Sequence, residues 1–209
     1  MRVSVVVPAY NEAARIGAVI GPVLAWGRAH EVVVVDDGSS DGTAEAAAQA
    51  GARVVRLERN VGKGGAVARA ISETTGDILI FLDADLIGLT PEHLALLLNP
   101  VAEGDADMTL GIFSRGRAAT DLAQAITPWL SGQRAVRRDT LVGLDAGIAR
   151  FGLEAALTRY ARRAGLRVRQ VTLPDLTHVM KEEKMGAVRG VISRLRMYRD
   201  ILRSLVSRD

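Results

Sequence analysis

Short β-branched runs alternate with helix-forming stretches along the first hundred residues, and this alternation limits the fold more than any other feature. Four runs are apolar nearly throughout: 3–7, 31–36, 52–57 and 77–83. Strands of this kind are typical of a parallel sheet that helices cover on both faces. The intervening stretches 12–26, 43–50 and 64–72 favour helices. The sequence therefore predicts an α/β domain built from right-handed strand–helix–strand units.

The second half of the chain is less regular. It predicts helices at 91–101 and 150–165, strands at 107–113 and 166–173, mixed helix and loop at 120–141, and a polar loop at 174–186. A basic amphipathic helix with one apolar stripe is expected at 187–207. Since no internal repeat or linker interrupts the sequence, we expect a single domain over residues 1–209.

The composition excludes several classes of site and partner. The chain has no cysteine, which excludes disulfides and thiolate metal sites and fits a cytoplasmic protein. A strand pattern begins at once, so no signal peptide is expected, and no apolar run approaches the roughly 20 residues that span a bilayer. Aromatic residues make up 4% of the chain and no recognised module is present, so no nucleic-acid partner is expected. The net charge of +3 favours anionic ligands.

A polar motif follows each predicted strand of the first half. These motifs occupy 8–12, 36–43, 58–66 and 83–86. Any one of them could be a turn, because Asp, Gly, Asn and Ser form turns for local reasons. The carboxyl ends of parallel strands, however, meet at one edge of a sheet, and ligands bind there. Four polar motifs at that edge predict one polar crevice.

Asp83 and Asp85 flank a single alanine directly after the fourth apolar run. Two carboxylates this close repel each other, so we expect a positive partner, and carboxylate oxygens suit Mg²⁺ or Mn²⁺. The alternative is a helix N-cap followed by a surface aspartate. A phosphatase-type nucleophile is disfavoured, because Ile87 stands where that pattern has Thr or Val.

Lys63 lies between glycines at the start of a predicted helix, a position that favours an anionic ligand. The segment is not a Walker loop, because Gly64 replaces the Ser or Thr, and the dinucleotide fingerprint lacks its third glycine. The alternative is a glycine turn with a solvated lysine. By position alone, His178 in a polar loop and Glu154 on an amphipathic helix are expected at the surface.

The motifs VVVPAYNE, VVVVDDGSSDGT, NVGKGGAVARAI and GDILIFLDADL resemble, in order and spacing, the family 2 glycosyltransferases. These enzymes have the GT-A fold, a Rossmann-like, mostly parallel sheet with helices on both faces. The segments LSGQRAVRRDTL, FGLEAALTRYARRAGLRV and LTHVMKE are similar to the glucosyl-3-phosphoglycerate synthase branch of that family. Ala84 stands where that branch has a serine, and SGQRA differs from its acceptor segment. The resemblance therefore implies a class of donor without naming the acceptor.

The resemblance also implies residue roles in each part of the chain. Residues 1–100 would bind the nucleotide sugar, 101–185 would bind the acceptor, and 186–209 would form the C-terminal helix. The implied nucleotide-binding residues are Pro8, Ala9, Tyr10, Glu12, Asp37, Gly62, Lys63, Asp83 and Ala84, with Asp37 on the base and Asp83 on the ribose or a metal-bound water. The implied metal ligands for Mg²⁺ or Mn²⁺ are Asp83, Asp85 and His178.

For acceptor binding the resemblance implies Gly132, Gln133 and Arg134. The implied catalytic residues are Asp85 and Glu154, the latter as a base if the transfer inverts the anomeric centre; a retaining transfer need not use it as one.

The function implied is transfer of a hexose from a nucleotide sugar, with UDP favoured, to a small-molecule or lipid-phosphate acceptor. The arginine-rich tail favours peripheral contact with an anionic membrane, and the alternative is packing on the domain or on a second subunit as a homodimer. Two other classes stay open. A non-catalytic nucleotide-sugar-binding module could keep the fold, and a nucleotidyltransferase is disfavoured because PAYNE replaces its glycine-rich loop.

Overall fold

The computed structural model describes residues 1–114, 131–142 and 153–178. Contacts divide the chain into two units, Met1–Thr177 and His178–Asp209, and His178 is the one described residue of the second. The helix predicted at 187–207 lies outside the described residues, so membrane contact and a second subunit stay predictions. In the part of the chain described here, no helix has the length and apolar character needed to cross a bilayer.

The first half of the described chain alternates strands and helices, as predicted. Its elements are β1 (Val3–Ala9), α1 (Ile16–Ala25), β2 (Glu31–Asp36), α2 (Thr43–Gln49), β3 (Arg53–Arg56), α3 (Gly62–Glu73), β4 (Ile78–Phe81), β5 (Leu86–Ile87) and α4 (Pro91–Ala102). The later elements are β6 (Met108–Ser114), β7 (Arg134–Arg137), a 3₁₀ turn (Arg138–Leu141), α5 (Leu153–Arg163), β8 (Val168–Pro174) and β9 (Thr177–His178).

Seven strands form the main sheet in the order β3-β2-β1-β4-β7-β6-β8, and β5 and β9 form a separate two-stranded sheet. β7 runs antiparallel to both of its neighbours, whereas β1 with β2, β1 with β4, β2 with β3 and β6 with β8 pair in parallel. The predicted α/β class with a mostly parallel sheet is confirmed.

The core consists of two apolar layers, one on each face of the sheet. Successive residues of a strand point to opposite faces, so Val5 and Val7 pack on the side of α1 and α4, while Val6 packs on the side of α3 and α5. All three valines are fully buried. Burial on both faces explains why the predicted strands are apolar nearly throughout.

The two loops after β1 and β2 are hydrogen-bonded to each other, and this changes two predicted boundaries. β1 continues to Ala9, because Pro8 and Ala9 still pair with β2. The pairing of β1 with β4 ends earlier, at Val6. The missing N–H of Pro8 therefore costs no bond to β4. Glu12 donates its backbone N–H to Thr43 Oγ1 at 2.9 Å, and α1 begins only at Ile16 instead of Glu12.

β7 is the one described strand of the main sheet that the sequence did not predict. Residues 134–137, RAVR, were expected in a segment of mixed helix and loop. Only Ala135 and Val136 supply an apolar signal, and pairing with β4 and β6 on both sides imposes the strand. Within the same predicted segment, residues 120–130 lie outside the described residues, and Arg138–Leu141 form the 3₁₀ turn.

Candidate active site

Polar residues from both halves of the chain meet at the carboxyl edge of the sheet. β1, β2, β3 and β4 are parallel, so the loops that follow them leave from the same edge. β7 is antiparallel and begins there, with Arg134 opposite Phe81, the last residue of β4. Residues 131–133 therefore lie beside the aspartates that follow β4.

Lys63 forms ion pairs with two carboxylates, those of Asp83 and Glu154. Its Nζ donates to Asp83 Oδ1 at 2.5 Å and also to Glu154 Oε1, and the three side chains are 34%, 27% and 19% exposed. Desolvation lowers the pKa of Lys63, but the charges of Asp83 and Glu154 and the hydrogen bonds to both outweigh it, so the pKa lies well above its ordinary value. The positive partner expected beside Asp83 is thus present in the chain itself.

Gln133 and Gly132 complete the surroundings of Asp83. Gln133 Nε2 donates to Asp83 Oδ2 at 2.8 Å, and Ser131 Oγ donates to Gln133 Oε1 at 2.9 Å. A Cβ on Gly132 would lie 2.7 Å from Asp83 Oδ1 and 2.8 Å from Lys63 Nζ, closer than side chains approach. A side chain at position 132 would therefore displace the charged ends of Asp83 and Lys63.

Arg134 is buried beneath this cluster, with 2% of its surface exposed. Its Nε donates to the Ser131 carbonyl at 3.0 Å, and its Nη2 donates to the Glu154 carbonyl at 3.2 Å and to Thr158 Oγ1 at 3.1 Å. Desolvation lowers the pKa of Arg134 to about 10, against the attraction of Glu154. Acceptor binding by Arg134 stays a prediction, and its burial and contacts favour a structural role.

The residues predicted to bind the nucleoside lie on the first three loops and the end of β1. Asp37 Oδ1 accepts from the Val61 N–H at 2.7 Å and its Oδ2 from the Gly62 N–H at 2.9 Å, which fixes the start of α3 directly before Lys63. The other predicted members of this group differ widely in exposure: Tyr10 is 48% exposed, Glu12 is 8% exposed, and Pro8 and Ala9 are buried in β1. Their contacts with a nucleotide stay predictions.

The carboxylates after β4 are chemically suited to a hard divalent cation. Asp83 and Asp85 are half-buried on either side of the buried Ala84, and carboxylate oxygens are the donors that Mg²⁺ and Mn²⁺ prefer. Within the described residues, no three His, Asp or Glu side chains are grouped as a metal site. A cation held by two carboxylates together with substrate phosphates does not need such a group. His178 belongs to the second unit, and its metal role stays a prediction.

Two site residues differ from what their positions in the sequence suggested. Glu154 was expected on a solvated helix face, but its carboxylate is 19% exposed and bonds Lys63, so that positional expectation is wrong. Ser131 was not singled out, although it is 2% exposed and holds Gln133. A single serine before a glycine carries no signal of burial, and nothing in the sequence marked it.

Comparison with known proteins shows the family to which this sequence belongs. Residues 4–164 match the family described as glycosyl transferase family 2. Glucosyl-3-phosphoglycerate synthase of Mycobacterium tuberculosis is 33% identical over 74% of this chain and 59% of its own length. Undecaprenyl-phosphate 4-deoxy-4-formamido-L-arabinose transferase of Pseudomonas aeruginosa is 41% identical over 49% of this chain and 33% of its own length. The chain therefore spans little more than half of the first of these relatives.

Solved structures show the same fold. The M. tuberculosis synthase in complex with Mn²⁺, UDP and glucosyl-3-phosphoglycerate superposes with a TM-score of 0.70 at 31% identity, covering 92% of this chain and 79% of that one. Its complex with Mg²⁺ and UDP gives 0.69 at 29% identity with the same coverage. The GT-A architecture is thus confirmed. Because the family match covers residues 4–164, a range that extends from β1 through α5 and includes Lys63, Asp83 and Glu154, the chain belongs to glycosyl transferase family 2.

Proposed function

We propose that this protein is a metal-dependent glycosyltransferase that moves a hexose from a UDP-sugar to a phosphorylated acceptor. One observation carries the proposal: Lys63 holds Asp83 and Glu154 together at the carboxyl edge of the sheet, beside Asp85. Gly132 lies against this ion pair, the amide of the buried Gln133 is bonded to Asp83, and Asp85 follows two residues later. Binding of a diphosphate and activation of a hydroxyl would use all of them.

The donor and the cation are suggested by the relatives. Structures of the M. tuberculosis synthase contain UDP-glucose with Mn²⁺, and UDP with Mg²⁺. In this chain Asp83 and Asp85 would hold the cation, which when bound neutralises negative charge on the departing diphosphate. Lys63 supplies a further fixed positive charge at the same edge.

Glu154 is the residue that we propose as proton acceptor for the incoming hydroxyl. Its carboxylate is held by Lys63 through the side chain, and its carbonyl oxygen is held by Arg134, so helix α5 presents it in one orientation. In an inverting transfer Glu154 takes the proton of the acceptor hydroxyl as that oxygen attacks the sugar. In a retaining transfer the leaving phosphate takes that proton.

The acceptor carries a phosphate in both lines of relatives. Structures of the M. tuberculosis synthase hold phosphoglyceric acid or glycerol 3-phosphate with UDP-glucose, and the P. aeruginosa relatives are named for undecaprenyl phosphate. We favour a small phosphorylated acceptor, because the similarity to the synthase covers 74% of this chain and that to the lipid-phosphate transferases 49%.

The first test is donor binding, measured as the melting temperature with UDP-glucose and Mn²⁺. A ligand at about 100 times its dissociation constant stabilises the folded state by about 2.7 kcal/mol, so a clear rise in melting temperature is expected. Asp85→Ala should abolish the Mn²⁺-dependent part of the rise. Asp105→Ala, which removes an exposed carboxylate from the surface pair with Arg169, is the matched control and should keep it.

Release of UDP then separates an enzyme from a binding module. Turnover that depends on 3-phosphoglycerate or glycerol 3-phosphate supports the small acceptor, whereas turnover only with undecaprenyl phosphate in vesicles supports the lipid acceptor. A rise in melting temperature without turnover on any acceptor would assign the chain to the non-catalytic class. No stabilisation by UDP-, GDP- or ADP-sugars with either cation would overturn the proposal.

A further inference from the structure

The four residues before and at the start of β7 contain an unusual amount of buried polarity. In Ser131–Arg134, which we name the clamp, the serine, glutamine and arginine are 2%, 1% and 2% exposed. Burying polar groups costs free energy unless they are hydrogen-bonded. Each of the three makes side-chain hydrogen bonds within the protein. Those of Gln133 reach the Asp83 carboxylate, and those of Arg134 reach the backbone carbonyl of Glu154.

Gln133 is oriented by its two partners. Ser131 Oγ donates to Gln133 Oε1, which directs the amide nitrogen toward Asp83 Oδ2 at 2.8 Å. A carboxylate can only accept, so Asp83 requires the nitrogen on its side. The other oxygen of Asp83 accepts from Lys63. Both oxygens of Asp83 are therefore fixed, one by the clamp and one by the lysine.

Arg134 anchors the backbone of Glu154, the residue that carries the second carboxylate. Its guanidinium bonds the Glu154 carbonyl and Thr158 Oγ1 in the first turns of α5, and its Nε returns to the Ser131 carbonyl. The clamp thus touches Asp83 through Gln133 and the backbone of Glu154 through Arg134. Lys63 closes the arrangement by bonding both carboxylates.

We propose that the clamp is a positioning device for the donor site, and that Gln133 is a positioning residue for Asp83 instead of an acceptor contact. The part that concerns donor binding rests on the proposed function. The part that concerns Asp83 and Lys63 is a statement about the protein alone. The two parts can be tested separately.

The test variant is Gln133→Met, which keeps the length of the side chain and removes the hydrogen bond to Asp83. Gln49→Met, at the exposed end of α2, is the matched control for the chemical change. The first readout needs no ligand: acetylation of Lys63 by limiting acetic anhydride, followed by mass spectrometry. Lys181 and Lys184 are the other lysines of the chain and serve as internal references.

We expect Lys63 to be acetylated severalfold faster in Gln133→Met, because Asp83 is then free to turn away from its ammonium, while both reference lysines react as in the wild type. Ser131→Ala, which keeps Gln133 but releases its oxygen, should give a smaller increase and guards against a folding defect of the first variant. Unchanged acetylation of Lys63 in Gln133→Met would overturn the proposal, whatever the nucleotide does.

The second readout is binding of UDP in the presence of Mn²⁺ by calorimetry. Loss of a hydrogen bond to a charged group predicts about tenfold weaker UDP binding in Gln133→Met and no change in Gln49→Met. If UDP binds both variants equally and only the KM for the acceptor rises, Gln133 contacts the acceptor and the positioning role is wrong. Failure of the wild type to bind UDP would refute the proposed function and leave the acetylation result to decide the clamp.

Discussion

Gly132 shows at the scale of one residue how closely the site is packed. Its backbone has a conformation that alanine also adopts, so the requirement for glycine is steric and not conformational. The atoms that a Cβ would meet are the charged ends of Asp83 and Lys63. The smallest possible side chain at position 132 therefore disturbs the ion pair directly.

Gly132→Ala is expected to impair the site more than the fold. The methyl group would push Asp83 and Lys63 apart, and misplacement of reacting groups by about 1 Å can cost about 100-fold in rate. We predict that the rate of UDP release during transfer to the acceptor falls by about 10- to 100-fold. Gly17→Ala, on the exposed side of α1 with no atom near its Cβ, is the control and should stabilise the fold slightly without changing the rate. Full activity of the Gly132→Ala variant would contradict the packing described.

At the scale of elements, the loops after the parallel strands support one another. Asp37, after β2, accepts hydrogen bonds from two backbone N–H groups at the start of α3. The loop after β1 is bonded to the loop after β2 through Asn11, Ser39 and Thr43. The position of Lys63 therefore depends on hydrogen bonds that link the loop after β1 to the loop after β2, and that loop to the start of α3.

Asp37→Asn is predicted to loosen the start of α3. An amide has one oxygen acceptor, so one of the two hydrogen bonds to Asp37 would be lost, although the Gly62 N–H would keep Asn60 Oδ1 at 3.1 Å as an acceptor. A hydrogen bond to a charged group is worth about 1.5–3 kcal/mol, and less where the donor is only partly buried, as here. We expect the free energy of unfolding in urea to fall by about 1–2 kcal/mol. Asp105→Asn, in an exposed ion pair, should change it by less than about 0.5 kcal/mol. Equal effects of the two substitutions would argue that the Asp37 contacts carry no stability.

Elements were predictable where each carries its own signal. The apolar runs predicted β2 and β4, and the polar motifs predicted which edge of the sheet gathers the polar loops, because periodicity and turn chemistry are local. β7 and the start of α1 were not, because pairing partners and loop-to-loop hydrogen bonds decide them. The contact between Lys63 and Glu154 joins residues 91 positions apart, so no local sequence pattern predicts it.

At the scale of the whole molecule, the two edges of the sheet have different tasks. The candidate active site lies at the carboxyl edge, whereas Glu31, the first residue of β2, is the centre of a hydrogen-bond network at the other. Glu31 accepts from Ser4 Oγ and the Thr75 N–H at 2.7 Å each, and from Arg53 at 3.1 Å. Desolvation raises the pKa of Glu31, but the hydrogen bonds from Thr75, Ser4 and Arg53 and the charge of Arg53 together outweigh it. The pKa is therefore lowered to about 2.

This network predicts how stability depends on pH. Because the pKa of Glu31 is lower in the folded state than in the unfolded chain, its contribution is complete above about pH 5 and is lost as the pH falls toward 2. Glu31→Gln should lower the free energy of unfolding by about 1–2 kcal/mol at pH 7, and the difference from the wild type should shrink at pH 3. Urea denaturation at both pH values measures it, with Glu45→Gln in an exposed ion pair as the control. A difference that stays constant between pH 7 and pH 3 would contradict the ionised network.

The antiparallel insertion of β7 sets an order in which a growing polypeptide can mature. Strands β1 to β4 follow one another along the chain and are neighbours in the sheet. β6 pairs with β7 and not with β4, so it can join the sheet only after residues 134–137 have paired with β4. Asp83 is synthesised 50 residues before Gln133, whose side-chain amide donates a hydrogen bond to it. During synthesis the part of the chain that forms the first four strands can fold early, and Asp83 gains its contact with Gln133 only when the later part is in place.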